Sequence, residues 1–399
     1  MTKTDEIADL HRRYVMSTYQ PGPLMVKGRG ARLWDADGRE YLDFMAGIAV
    51  TPLGHCHPRL VKAIRAQAGA LIHVSNYFHN EHQPRLAQAI VQRSFGEGKC
   101  FFCNSGAEAN EGLIKLARLW GSASGRYEIV TMRNSFHGRT LATLTATGQS
   151  KVQIGFEPLP AGFVYADYND LESVRAAVTG KTVAILVEAV QGESGIVAAA
   201  PEFLRGLRAL CDERNLLLLC DEIQCGLGRT GAWFGYEHAG IRPDAFSIAK
   251  GLGGGYPIGA FVASPKLADV MQFGHHGSTF GGTPLACAAA RAVIETISEE
   301  DLVRNAAEMG ALFMDQLRRA TRPHAFVREV RGIGLMVGVV LDRPAKPLVN
   351  LLQAKGLLAL ATANTVVRFL PPLNVTAAQV RKAARIVKQA CAECVWPAA

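Results

Sequence analysis

Short apolar runs alternate with amphipathic stretches along the first two thirds of the chain. Between several of the runs, apolar residues recur at helical spacing, as in residues 107–120 and 201–214. Strands that alternate with helices are typical of an α/β protein with a mostly parallel sheet. The runs that we predict to be buried strands are KCFFCN (99–104), YEIVTM (127–132), VAILVEAV (183–190), LLLLCDEI (216–223), DAFSIA (244–249) and IGAFVAS (258–264).

The pattern changes after about residue 290. A long helical stretch is followed by residues 325–341, which predict a hairpin or meander, and then by VVRFLPPLNV. Thr376 and Gln379 have the spacing of a capping box and predict the start of a last helix. We therefore expect an N-terminal segment over 1–50 that associates with a small α+β domain over 291–399, and a large α/β domain over 51–290.

Composition adds few constraints. The chain has 399 residues, 49% of them hydrophobic, and a formal net charge of +8. The basic residues do not cluster, so the charge predicts neither a nucleic-acid nor a membrane partner. The N-terminus carries acidic residues, and no stretch approaches the roughly 18 apolar residues of a membrane span. We expect a cytoplasmic protein.

Two cysteine- and histidine-containing patterns resemble metal sites. Cys100 and Cys103, and likewise Cys391 and Cys394, have CxxC spacing, and GHCHP (54–58) brings two histidines close to a cysteine. None of them has a complementary cluster at zinc spacing, so packing and a structured turn are favoured over metal binding. Nine cysteines are an odd number, and we expect reduced thiols and no metal.

Candidate chemistry follows four of the predicted strands. Ser105 and Gly106 open a helix whose free N–H groups would hold a phosphate. Asp221 is a carboxylate at the end of an apolar run, where it is costly unless it is paired with a positive group.

The other two strand ends carry an amine and an arginine. Lys250 lies between a strand and a glycine cluster, and RNSFHGR (133–139) supplies Phe136 and Arg139. Ligands bind at the carboxyl ends of strands in such sheets. An amine, a buried acid, a phosphate cradle, an aromatic ring and an arginine are together the parts of a site for pyridoxal 5′-phosphate (PLP).

One motif suggests a different enzyme class. GLGRTG (226–231) follows a strand and matches the glycine pattern of nicotinamide-dependent dehydrogenases. That pattern must open a helix, but Gly235, Gly240 and Pro243 follow within a few turns. We therefore interpret the motif as a loop.

Six segments together resemble the class III (ornithine-type) aminotransferases of fold type I. The resemblance extends from LWDADGREYLDF (33–44) to VVRFLPPL (366–373), over nearly the whole chain. The segments that carry it are NSGAEANE (104–111), FHGRT (136–140), VEAVQGESG (187–195), DEIQCGLGRTG (221–231), SIAKGLGGGYPIG (247–259) and HGSTFGGTPLA (276–286).

The resemblance implies roles for particular residues. Lys250 would carry the cofactor and move the proton, and Asp221 would contact the pyridinium nitrogen. Thr279 would complete the phosphate site of the partner subunit, so a homodimer is implied. The cofactor-binding positions implied in this way are Ser105, Gly106, Ala107, Phe136, Glu188, Asp221, Ile223, Gln224, Lys250 and Thr279.

The resemblance also implies two substrates that share one pocket. Arg139 would bind a carboxylate, Ser278 would contact substrate, and Glu193 would hold Arg368 until the arginine is needed for the α-carboxylate of glutamate. Ile48 replaces a tyrosine that contacts the free α-amine in ornithine aminotransferases, which favours an acylated donor. Ala189 and Thr283 depart from the usual proline and asparagine, and neither change removes a reacting group.

We therefore expect amino transfer from N-acetylornithine to 2-oxoglutarate, a step of arginine biosynthesis. Succinylornithine, succinyldiaminopimelate, ornithine and 4-aminobutyrate transaminases stay open as alternatives. A PLP-binding regulatory protein without turnover stays open as well, although simple cofactor binding needs neither Arg139 nor Arg368.

Overall fold

The computed structural model describes residues 2–396. Met1 and residues 397–399, which belong to the predicted terminal segments, lie outside the described residues. The helices are α1 Lys3–Tyr14, α2 Ala46–Ala49, α3 Pro58–Ala70, α4 His82–Arg93, α5 Gly106–Gly121, α6 Leu141–Ala146, α7 Leu171–Ala177, α8 Pro201–Arg214, α9 Pro284–Glu299, α10 Leu302–Thr321, α11 Lys346–Ala354 and α12 Ala377–Glu393.

The strands form one large sheet and three smaller ones. They are β1 Met25–Arg29, β2 Arg32–Asp35, β3 Glu40–Asp43, β4 Lys99–Cys103, β5 Glu128–Met132, β6 Phe163–Ala166, β7 Thr182–Glu188, β8 Val190–Gln191, β9 Val197–Ala198, β10 Leu217–Asp221, β11 Ala245–Ile248, β12 Gly259–Ala263, β13 Val327–Ile333, β14 Met336–Leu341, β15 Leu357–Leu358, β16 Leu360–Thr362 and β17 Val366–Phe369.

The large sheet has seven strands in the order β4-β12-β11-β10-β7-β5-β6. Its strands are parallel except β12, which is antiparallel to both β11 and β4. All residues of β7 and β10 are buried. Strands covered on both faces need apolar side chains on both faces, which explains the continuous apolar runs in their sequences. The predicted mostly parallel α/β sheet is confirmed.

The predicted elements of the large sheet are present. All six predicted strands form, and α8 has the predicted bounds, 201–214. β6 was not predicted from the sequence. It lies at the edge of the sheet and pairs only with β5 among the described strands.

The last part of the chain forms the sheet β13-β14-β17-β16, and β13 and β14 pair as the predicted hairpin. The capping box of Thr376 and Gln379 opens α12, as predicted. The N-terminal strands β1 to β3 form a sheet with β15, so the two ends of the chain share one sheet. α9 spans residue 290, where the sequence suggests a domain boundary, and the three-part division of the chain stays a prediction.

Candidate active site

A cavity of about 390 Å³ lies at the carboxyl ends of β7, β10 and β11. Parallel strands place their carboxyl ends at the same edge of a sheet, which brings residues distant in sequence together. Eleven of the predicted site residues line the cavity: Ser105, Gly106, Ala107, Phe136, Arg139, Glu188, Glu193, Asp221, Ile223, Gln224 and Lys250.

Lys250 lies two residues beyond the end of β11 and begins a short 3-10 turn, Lys250–Gly253. Its φ is 38°, a left-handed conformation that is uncommon for residues with a Cβ and that occurs often at functional sites. Desolvation lowers the pKa of the Lys250 amine, although Glu193 acts in the opposite direction. The amine therefore loses its proton more easily than a surface lysine does, which suits a group that must move a proton.

Asp221 ends β10 and is 3% exposed. Its Oδ2 accepts a hydrogen bond of 2.8 Å from Nδ2 of Asn110 and lies 2.8 Å from Nδ1 of His137. Its Oδ1 accepts a bond of 3.0 Å from the backbone N–H of Ile223. These contacts fix the carboxylate in a site where an isolated charge would be costly.

The residues that orient Asp221 are not among the site residues predicted from the sequence. Asn110 and His137 are both buried, and Oδ1 of Asn110 accepts a 2.7 Å bond from the Ser247 hydroxyl. Both residues lie in segments that carry the resemblance to the family, Asn110 in NSGAEANE and His137 in FHGRT. A polar side chain on the buried face of a helix is the signal that singles out Asn110 in the sequence.

Ser105 caps the N-terminus of α5, which faces the cavity. The Ser105 hydroxyl accepts a 3.2 Å bond from the backbone N–H of Glu108. The first N–H groups of a helix have no partner within the helix, so those of Gly106 and Ala107 are available at the cavity wall. This is the geometry of an anion site at a helix N-terminus.

Phe136, Ile223 and Gln224 line the same cavity. The backbone N–H of Phe136 donates a 3.1 Å bond to Oε2 of Glu188. Glu188 is 7% exposed, and its burial, together with the nearby Asp221 carboxylate, raises its pKa well above the usual value. Oε1 of Gln224 is buried, and no hydrogen-bond partner for it lies within residues 2–396.

These groups fit PLP. A buried carboxylate suits a pyridinium nitrogen, a helix N-terminus suits a phosphate, and Lys250 suits the aldehyde carbon. The unpaired Oε1 of Gln224 leaves an acceptor for a polar substituent on the ring. When bound, PLP supplies a sink for the electron pair of a broken C–H bond.

Arg368 does not line the cavity, but its side chain contacts Glu193, which does. It lies on β17, opposite Gly338 of β14, and its side chain is 2% exposed. Its Nη1 donates to Oε1 of Glu193 at 2.6 Å and to the backbone oxygen of Gly192 at 3.0 Å. Burial acts to raise the pKa of Glu193, but the Arg368 guanidinium outweighs it and the pKa is lowered. The carboxylate that holds Arg368 is therefore ionised.

Arg139 is placed differently. It is exposed at the cavity wall, and its guanidinium lies 5.5 Å from the centre of the Phe136 ring. No carboxylate of the described residues forms a salt bridge with it. Arg139 is thus free to bind an incoming carboxylate, whereas Arg368 is engaged.

Ser278 and Thr279 do not line this cavity. The Ser278 hydroxyl accepts a 3.3 Å bond from Asn104, which does line it. Thr279 is exposed, beside Phe280, which is 60% exposed. Their predicted contacts with substrate and with a partner's phosphate site stay predictions.

The competing motifs have structural roles. GLGRTG forms turns rather than the start of a helix, as predicted, and all nine cysteines are free thiols. Among residues 2–396, no group of three or more His, Cys, Asp or Glu side chains is arranged to hold a metal ion. No helix in the same range is both long and apolar enough to cross a membrane.

Comparisons with known proteins agree with this site. The family described as "Aminotransferase class-III" matches residues 16–391. The acetylornithine aminotransferase of Caldanaerobacter subterraneus subsp. tengcongensis is 50% identical over 96% of this chain and 98% of its own length.

Solved structures show the same likeness. The ornithine aminotransferase of Toxoplasma gondii, described with PLP at partial occupancy in its active site, is 34% identical with a TM-score of 0.94, covering 98% of this chain and 94% of its own. The acetylornithine aminotransferase of Elizabethkingia anophelis is 31% identical with a TM-score of 0.87, covering 98% and 100%. The chain belongs to the class III aminotransferases and is a PLP-dependent enzyme.

Proposed function

We propose that this enzyme transfers the terminal amino group of N-acetylornithine to 2-oxoglutarate, as a step of arginine biosynthesis. The observation that carries the proposal is the 50% identity to an acetylornithine aminotransferase over nearly the full length of both chains. Ile48 agrees with it through the resemblance, since an isoleucine cannot hydrogen-bond the free α-ammonium of ornithine; Ile48 itself does not line the cavity, whereas Val50, two residues on, does.

The residues at the carboxyl ends of the strands would hold the cofactor. Lys250 would bind it covalently, and Asp221 would stabilise the protonated ring nitrogen. Phe136 and Ile223 would cover the two faces of the ring, Gln224 would contact its hydroxyl, and Glu188 would lie beside Phe136. The N–H groups of Gly106 and Ala107, with Ser105, would bind the phosphate.

Proton transfer would fall to Lys250. Once free of the cofactor, its Nζ accepts the proton from the substrate carbon that bears the amine and returns a proton later in the reaction. The lowered pKa of Lys250 favours the neutral amine that this step needs.

The two arginines would select the two substrates in turn. Arg139 would bind the carboxylate of N-acetylornithine, and the same arginine would bind the distal carboxylate of 2-oxoglutarate. Glu193 holds Arg368 at 2.6 Å in this structure. Once Glu193 releases Arg368, the arginine would bind the α-carboxylate of 2-oxoglutarate, the shorter of the two substrates.

The donor can be tested by comparing kcat/KM of the PLP-loaded enzyme for N-acetylornithine, N-succinylornithine and ornithine with saturating 2-oxoglutarate. We expect N-acetylornithine to exceed both others by about tenfold or more, which corresponds to about 1.4 kcal/mol of transition-state preference. A lead for ornithine or N-succinylornithine would contradict the proposed donor.

We also propose a homodimer in which each subunit completes the other's site. Ile72, Tyr77, Phe78, Phe273 and Phe280 are large apolar side chains that are 57–98% exposed. Asn76 ties their two segments together through bonds to the backbone oxygens of Ser278 and Gly281. An exposed apolar surface of this kind supports an interface between subunits.

The shared site can be tested by mixing two inactive variants. In the Thr279→Asp variant, the new carboxylate would repel the phosphate in the partner subunit's site. In the Lys250→Ala variant, each subunit would lose the lysine of its own site. In a mixed dimer one site has both residues intact, so mixing after reversible dissociation should restore about a quarter of the wild-type activity. No recovery, with mixed dimers shown by mass spectrometry, would contradict a role for Thr279 in the partner's site.

A further inference from the structure

Helix α2 is a single left-handed turn beside the active site. Its four residues, Ala46, Gly47, Ile48 and Ala49, have φ values of 47°, 63°, 67° and 62°. Left-handed backbone is unfavourable for residues with a Cβ, and most of all for a β-branched residue such as Ile48. Such a turn persists only where its surroundings hold it.

A buried aspartate holds this turn at its start. Asp43 is 2% exposed, and its Oδ1 accepts bonds of 2.9 Å from the backbone N–H of Met45 and 3.0 Å from that of Ala46. Its Oδ2 lies 2.7 Å from Nε2 of His55. Asp43 therefore connects the first residues of the turn to a side chain nine residues beyond Ala46.

His55 belongs to the GHCHP segment, which the assigned site does not use. Its backbone forms two hydrogen bonds with Gly30, of 2.8 Å and 2.9 Å. A Cβ at Gly28 would lie 2.7 Å from Cβ of His55, so the strand passes very close to the imidazole. His55 is thus fixed against the N-terminal sheet and provides a firm support for Asp43.

The far end of the turn reaches the cavity. Val50, the residue after the turn, lines the cavity. The carbonyl oxygen of Ala49 lies 3.6 Å from the position that a Cβ would take at Gly251, the residue next to Lys250. The position of the turn therefore sets both one wall of the cavity and the packing behind the catalytic lysine.

We propose that Asp43 and His55 are positioning residues that hold this left-handed turn and so shape the wall that the amine donor contacts. The inference rests on the proposed function for the identity of the donor. The donor carries an acyl group that 2-oxoglutarate lacks, so a displaced wall costs the donor more binding than it costs the acceptor.

Asp43→Ala removes all three bonds, and the enzyme offers a matched control for it. Asp35 is 6% exposed, and it too accepts two backbone N–H bonds on Oδ1, of 3.0 Å and 2.9 Å, and one side-chain bond of 2.7 Å on Oδ2. Its partners, Asp37, Arg39 and Tyr41, lie in the same sheet region but do not line the cavity. Asp35→Ala therefore reports the loss of stability alone.

In the PLP-loaded enzyme we expect Asp43→Ala to raise KM for the donor by about tenfold or more, and KM for 2-oxoglutarate by less than about threefold. Asp43→Asn should stay within about twofold of wild type for both, because its amide can accept both backbone bonds and donate to His55. Asp35→Ala should lower Tm without changing the ratio of the two KM values.

A binding measurement separates this inference from the proposed donor. Borohydride-reduced holoenzyme cannot turn over, and calorimetry with it gives Kd for each substrate. We expect a higher Kd in Asp43→Ala for the best donor, whichever compound that is. The test therefore remains valid even if the best donor is not N-acetylornithine.

His55→Ala covers the case in which Asp43→Ala does not fold. It keeps both backbone bonds of Asp43 and should raise the donor KM and Kd by about threefold. An unchanged ratio of donor to acceptor KM in the variants that fold, with a Tm loss like that of Asp35→Ala, would overturn the inference.

Discussion

Asp221, at the end of β10, is 3% exposed and makes three hydrogen bonds, whereas Arg139, which lines the same cavity, is exposed and outside any salt bridge among the described residues. Arg368 is intermediate: it is buried, but a single carboxylate oxygen of Glu193 and one backbone oxygen hold it. The residues proposed to bind the cofactor are fixed by many partners, and those proposed to bind the substrates by few; we call these two groups the cofactor end and the substrate end.

This difference matches what an aminotransferase must do. The same cofactor chemistry serves both half-reactions, so the groups that support it can be held in one arrangement. Two substrates of different length share the pocket in the proposed reaction, so the groups that grip them must rearrange between half-reactions. We therefore expect changes at the cofactor end to affect both half-reactions equally, and changes at the substrate end to affect them unequally.

Lys250→Ala should give the largest effect. It removes the covalent attachment and the proton-transfer group together, so kcat should fall by about 10⁴-fold or more in both half-reactions. Steady-state rates and stopped-flow spectra of each half-reaction measure this. Lys266→Ala is the control, because Lys266 pairs with Asp244 outside the cavity. Retention of more than a hundredth of the rate would contradict the role of Lys250.

Asp221→Asn should rank second. An asparagine keeps the shape of the site but not the charge that stabilises the protonated ring, so both half-reactions should slow by about 10²- to 10³-fold while PLP still binds. Asp244→Asn is the matched control, since Asp244 is also a buried, bonded carboxylate but lies outside the cavity. An unchanged kcat in Asp221→Asn would rule out the assignment.

Glu193→Gln should have the smallest effect and the opposite selectivity to the loss of Arg368. The glutamine can still accept a hydrogen bond but no longer carries the charge that restrains Arg368. We expect kcat/KM for N-acetylornithine to fall by about tenfold, with that for 2-oxoglutarate unchanged or higher. Equal losses for both substrates would show that Glu193 does not act through Arg368.

The sequence predicts the cofactor end of this comparison well. Its residues follow apolar runs such as LLLLCD and DAFSIA, and the chain order of parallel strands places the ends of those runs at one edge. The resemblance adds Gln224 and Glu188, and the structure places both at the cavity.

The supporting residues could not be identified in this way. Asn110 and His137 contact Asp221 across more than eighty positions of sequence, and no local pattern pairs them. The apolar sequence of β12 predicts a buried strand, but it does not indicate that the strand runs antiparallel to its neighbours. β6 has only four residues, FVYA, and so short an apolar run does not by itself distinguish a strand from a loop, although Gly162 and Asp167 flank it.

The substrate end is harder to predict for a physical reason. The pair of Glu193 and Arg368 joins residues 175 positions apart, and only the resemblance suggested it. The left-handed turn over Ala46–Ala49 contains only one glycine, so its residue types do not predict its positive φ values. The Asp43 carboxylate bonds the first backbone N–H groups of the turn and contacts His55 twelve positions away, and this second contact leaves no local signal in the sequence.

The half-reactions of Arg368→Ala test the separation of the two ends most directly. Stopped-flow absorbance of the cofactor would follow the reaction of the PLP form with N-acetylornithine and of the amino form with 2-oxoglutarate, each in a single turnover. We predict that the 2-oxoglutarate half-reaction loses at least about tenfold more kcat/KM than the donor half-reaction. Equal losses in the two would contradict the claim that Arg368 selects the second substrate while the cofactor end serves both.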